Sequence, residues 1–204
     1  MAITSYSELQ TALTDRIARA DFTAAQQQEC IAFAEAEMQR ILKTLDMETK
    51  DAAFSITGEY VATPTGLLFV REFCLNTTPL TPLSLMPGDM QSSAYARGEQ
   101  AKPKFFEIVG ANFRFAPVPD TTYTATIVYS AQFAPLTVSA TTNWLLTAHP
   151  DAYLYGSLKH AAIRIQDANA ASGYDSLFKN AMADVNAQAS RIRFSGPALA
   201  VRAN

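Results

Sequence analysis

Tyr6, Leu9, Leu13 and Ile17 recur at three- and four-residue steps, the spacing that puts apolar side chains on one face of a helix. The run opens on Ser5-Tyr6-Ser7-Glu8, a capping box in which the serine accepts from a free backbone N–H and the glutamate reaches back. A second stripe, Ile31, Ala34, Met38, Ile41 and Leu45, follows another capping box at Thr23-Ala24-Ala25-Gln26. So short a joint predicts an αα-hairpin. After Lys50 the period changes. Segments 53–56, 59–62 and 67–75 are rich in Val, Phe, Tyr and Leu and are punctuated by Thr57-Gly58 and Pro64-Thr65-Gly66. Phe105–Val109, Gly110-Ala111 and Asn112–Phe115 read as a hairpin, and Tyr123–Tyr129 alternates as a last strand. Between them, Asp89–Arg97 is expected to form one short helix.

From Asn143 the helical period returns. Pro150 suits a first helical position, where its missing N–H is not needed. Tyr153, Leu154, Leu158, Ala161, Ala162 and Ile165 form the next stripe. Ser172-Gly173-Tyr174-Asp175 is read as the cap of a final helix with Leu177, Phe178, Ala181, Met182, Val185 and Ala189 inward. Gly196 and Pro197 then favour an extended tail. The predicted class is α+β. A four-helix bundle built from both ends of the chain (residues 1–49 with 141–192) carries an inserted, mostly antiparallel β module (50–140) and an extended C-terminal tail (193–204).

Composition narrows the function. With 204 residues, 49% hydrophobic and 17% charged, the chain has material for a core without a disulfide or metal. A formal net charge of -3 argues against general affinity for nucleic acid. The charge is uneven, however. Residues 136–204 hold six Lys/Arg against four Asp/Glu, and the tail carries Arg191, Arg193 and Arg202 with no acid. Cys30 and Cys74 are read as two buried thiols. No secretory signal or membrane span is expected, so the chain is expected to be soluble and made in a reducing compartment.

Catalytic chemistry is thin. His149 and His160 are eleven residues apart, not the spacing of two ligands on one helix face. Glu35 and Glu37, two apart, do not share a face. No phosphate-binding glycine loop, nucleophile elbow or zinc-binding HExxH occurs. No catalytic residue, cofactor or metal site is expected, so the chain reads as a non-enzyme. Phe105, Phe106, Phe113, Phe115, Tyr123 and Tyr129 could make a stacking platform for single-stranded nucleic acid. With only Lys102, Lys104 and Arg114 nearby, a packed sheet face is favoured.

Two stretches resemble the head-to-tail adaptor (connector) proteins of tailed bacteriophages. One is Asn143-Trp144-Leu145-Leu146, His149-Pro150-Asp151, then Tyr153-Leu154-Tyr155-Gly156 and Leu158. The other is Tyr174, Phe178 and Ala181, followed by Arg191 and Phe194-Ser195-Gly196-Pro197. The resemblance implies a virion structural subunit in the neck of the particle, made in the host cytoplasm. Such adaptors form a homo-oligomeric ring, usually dodecameric, beneath the portal protein. DNA passes through the lumen without sequence readout, and a downstream tail or nozzle protein binds below. No membrane partner is implied. Arg191, Arg193, Phe194, Pro197, Leu199 and Arg202 are then the expected portal or neighbour contacts. Other readings are a tail-completion, tube or baseplate protein, a virion-associated hydrolase, or a sugar- or protein-binding module carried on the β insertion.

Overall fold

The structure is a computed structural model that describes residues 3–19, 21–86 and 100–194, without the side chains of 193 and 194. The chain divides into two compact units, Met47–Gln132 and the flanking sequence on either side of it. The expected helix over Asp89–Arg97 lies outside the described residues, as does the expected extended tail over 193–204, except that Arg193 and Phe194 continue the last helix and are not extended.

The helical unit holds five described α-helices: α1 (Tyr6–Ile17), α2 (Ala24–Ile41), α3 (Trp144–Ala148), α4 (Pro150–Arg164) and α5 (Ala168–Phe194). Both capping boxes form. Ser5 Oγ accepts from Glu8 N–H and Glu8 Oε2 accepts from Ser5 N–H at 3.1 Å, while Thr23 and Gln26 repeat the exchange on α2. Such a cap is worth about 1 kcal/mol. Helix α1 buries Tyr6, Leu9 and Leu13. It stops at Ala18, whose φ of 49° is left-handed.

The expected four-helix bundle is overturned. Asn143 accepts from Leu146 N–H at 2.8 Å and caps the short α3; Pro150 then opens α4 at its first turn. The stretch expected to open a single third helix is therefore two helices. Helix α4 packs against α1, α2, α3 and α5, so it is a hub, not one of four equivalent members. Helix α1 leans mainly on α4 and only slightly on α2, so the two do not make the tight hairpin that their short joint suggested. The last helix also starts earlier than its apparent cap. Asp167 Oδ1 accepts from Ala170 N–H at 2.9 Å, which leaves Ser172–Asp175 inside α5.

The β unit is two four-stranded sheets among the described residues. One runs β1 (Glu48–Ile56), β8 (Tyr123–Ala131), β3 (Leu67–Leu75) and β4 (Thr81–Pro82); the other β2 (Tyr60–Ala62), β7 (Asn112–Ala116), β6 (Phe105–Val109) and β5 (Ser84–Leu85). Pairing is antiparallel except between β5 and β6. Strand β1 enters opposite the strand on which the chain leaves, with Glu48 facing Ser130. Gly110, at φ 60°, closes the β6–β7 hairpin where a side chain would be strained. Phe54, Phe73, Phe106, Phe113 and Phe115 stack edge-on or tilted between the sheets, with Ile56, Leu75 and Ile127 fully buried among them.

Candidate functional site

Helices α2, α4 and α5 of the helical unit meet at a junction built by residues of the recognisable motif. Asn143 sits at its edge. Besides capping α3, it donates from Nδ2 to the Tyr153 hydroxyl at 2.6 Å and to the Ala134 carbonyl at 2.9 Å. Tyr153, fully buried on α4, donates to Glu35 Oε1 of α2 at 2.9 Å. Leu136 N–H donates to the same oxygen at 2.7 Å. This chain of bonds fastens the returning segment 133–143 onto two helices. Burial holds the Glu35 carboxyl above the usual carboxylate range, against the pull of the two donors. Burial and the nearby Glu35 charge also push the Tyr153 hydroxyl up.

One turn along, Gly156 presses against the Phe178 ring of α5 and the Ala34 methyl of α2. A β-carbon there would lie 3.0 Å from the ring and 3.2 Å from the methyl, so only glycine lets the three helices approach this closely. Next comes Lys159, whose Nζ reaches both Glu37 oxygens at 2.7 and 2.6 Å and Asp175 Oδ1 at 3.1 Å. Its ammonium also lies 5.1 Å from the Phe178 ring centre. Lys179 adds a bond to the other Asp175 oxygen, which holds that carboxyl below its ordinary value. His160 completes the cluster, with Nε2 3.3 Å from Glu37 Oε2 and its ring 5.7 Å from that of Phe33. Burial, then the Lys159 charge, holds the imidazole below its ordinary value, against the pull of Glu37.

The geometry is that of a clamp. Glu35 faces the returning segment while Glu37 faces Lys159, so the two carboxylates serve different partners. His149 ends α3 and precedes α4, away from His160 in the sequence and in role. Among the described residues no group of three His, Cys, Asp or Glu side chains gathers to hold a metal. A 230 Å³ cavity at the end of the helical unit is lined by Arg19, Asp21 and Arg164, but Arg19 pairs with Asp21 and Arg164 with Glu29. In the β unit, a 420 Å³ depression lies between the 63–66 turn and Gly110-Ala111 and presents chiefly apolar side chains.

The aromatic residues weighed as a stacking platform are mostly core. Phe106, Phe113 and Phe115 are buried between the sheets. Arg114 is held by Glu59 and Glu107, and Lys102 by Thr77 and Thr81. Of the expected portal contacts, Arg191 lies exposed near the end of α5. Arg193 and Phe194 close that helix, with side chains outside the described residues; Pro197, Leu199 and Arg202 lie outside them altogether. The two cysteines remain free thiols; burial pushes Cys30 up to about 11, while Cys74 is only partly buried. No described helix is long and apolar enough to cross a membrane.

Sequence reasoning missed the ion-pair cluster. Lys159 stands inside an apolar stripe, and its carboxylate partners are 16 and 122 positions away. The signal that could have found it is a lone cation on an otherwise buried helix face, which needs a carboxylate from a neighbouring helix.

Comparison with known proteins adds one finding. A family model described as SU10 adaptor protein matches residues 4–202. No curated protein matches the sequence.

Proposed function

The chain belongs to the SU10 adaptor protein family of phage structural adaptors, a virion component of a class that is not enzymatic, and from that premise we propose that it forms a ring beneath the portal. The observation that carries this reading is the match across nearly the whole chain, from residue 4 to residue 202. In the ring, usually dodecameric in such adaptors, copies sit side by side around a channel through which DNA passes without sequence readout. A formal net charge of -3 supports passage without adhesion, because a phosphate-binding wall needs a cationic surplus.

Residues 193–204 serve in this reading as the arm that reaches the portal, with Arg191 at its root. Arg193, Phe194, Pro197, Leu199 and Arg202 supply charge and apolar anchors together. The β unit is left for a downstream tail or nozzle protein. Electron microscopy and mass photometry of the purified protein, alone and with the portal of its phage, test the ring. The expected result is a closed ring on the portal, and a persistent monomer that ignores the portal refutes it. Deleting residues 193–204 is expected to abolish docking while the helical unit keeps its circular dichroism. Undiminished docking refutes the role of the arm.

A further inference from the structure

Helix α2 presents Phe33, Ala36 and Arg40 to solvent. Steps of three and four residues place them along one face. Helix α5 presents Leu177, Asn180 and Asp184 at the same steps. Phe33 is 52% exposed and Leu177 44%, although both belong to helices whose other faces are packed. Arg40 and Asp184 are exposed, and neither has an ion-pair partner among the described residues. Each helix thus offers an apolar side chain and, two turns on, an unpaired charge. The charges are opposite.

The directions also match. Along α2 the contacts Glu29–Arg164, Phe33–His160 and Glu37–Lys159 ascend while α4 descends, so those two helices are antiparallel. Between α4 and α5, Gly156 meets Phe178 and Lys159 meets Asp175, which is antiparallel again. Helices α2 and α5 therefore run the same way. Rotation about an axis along these helices keeps that direction, so α2 of one copy can lie parallel to α5 of the next.

We propose that the α2 face of one copy docks on the α5 face of the next, with Phe33 against Leu177 and Arg40 against Asp184. Seven residues span about 10.5 Å on both helices, so both pairs meet in a single register. Ala36 and Asn180, between them, are short enough for close approach. The contact is heterologous: each copy uses one face to give and another to receive, which is what closure into a ring requires. The inference rests on the ring reading and names the surfaces that carry it.

The test is charge exchange in the full-length protein, read by mass photometry alone and with the portal of its phage. Arg40→Glu and Asp184→Arg each place like charges opposite one another and are expected to weaken assembly at least about tenfold. The double variant Arg40→Glu with Asp184→Arg restores an attractive pair and is expected to recover rings. Leu177→Asp, at an exposed site outside the ion-pair cluster, is expected to lose rings while keeping native circular dichroism. If the wild type forms rings and the single variants do so equally well, this contact is wrong and the ring reading stands. If the singles fail and the double does not recover, the Arg40–Asp184 pairing is wrong. If the wild type forms no ring alone or on the portal, the ring reading falls and the contact with it.

Discussion

Replacing glycine by alanine inside a helix ordinarily stabilises a protein by about 0.5–1 kcal/mol, because alanine loses less backbone entropy on folding. At Gly156 the sign should reverse. A methyl there meets Phe178 Cε2 at 3.0 Å, Phe178 Cδ2 at 3.1 Å and Ala34 Cβ at 3.2 Å. Ordinary contact starts near 3.4 Å, so either the ring or a helix must give by a few tenths of an ångström. The ring has little freedom to do so. Phe178 is fully buried, with the Lys159 ammonium 5.1 Å from its centre, and Lys159 is itself held by Glu37 and Asp175. Overpacking of this kind costs about 1–3 kcal/mol, which exceeds the propensity gain. Gly173 supplies the internal control. It lies inside α5, exposed, with nothing within 4 Å of an added β-carbon. Gly173→Ala is expected to raise the thermal midpoint by about 1–4 °C and Gly156→Ala to lower it, by as much as about 5–10 °C if the full overpacking cost applies. The assay is thermal unfolding followed by circular dichroism, at a concentration where both variants have the same oligomeric state. Gly156→Ala stabilising as much as Gly173→Ala would refute the claim that Gly156 is required for close helix approach.

Two further outcomes follow from the junction. Tyr153→Phe deletes the hydroxyl between Asn143 and Glu35, leaving the buried carboxylate with Leu136 N–H as its remaining donor among the described residues. Urea unfolding should show a loss of about 1–3 kcal/mol, and a variant as stable as the wild type would contradict the network's role. His160 has a folded pKa below its ordinary 6.5, so the unfolded state binds the proton more readily. Its contribution to stability is thus present above pH 6.5 and lost as pH falls toward the depressed value. Titrating stability between pH 7 and 5 should show a shallower decline for His160→Gln, and parallel curves would remove His160 from the account.

Much of the fold was legible because its signals are local. Ser5 with Glu8 and Thr23 with Gln26 fix both N-terminal helix starts within four residues, and Gly110 marks the hairpin by the backbone angle it must adopt. The bundle was misread where the signal is tertiary. Sequence period cannot show that α4 is shared by four neighbours. The start of α5 was misplaced because Ser172-Gly173-Tyr174-Asp175 looks like a cap. The true turn uses Gln166 at φ 61°, a residue type that does not announce a left-handed position. The same limit applies to the site. Asn143, Tyr153 and Gly156 stood out as a pattern, but Glu35 reaches Leu136 across 101 positions and Tyr153 across 118, and no local rule links them.

Glu48 and Ser130 are cross-strand partners, so the chain leaves the sandwich one strand spacing from where it came in. Everything between them is an excursion that returns to its own doorstep. Loops can lengthen, strands can be trimmed, or a different small fold can be grafted onto the same paired stem, without altering the distance the two connections must span. The β unit can therefore be exchanged without moving its two connections apart, while the Asn143–Tyr153–Glu35 lock is left alone.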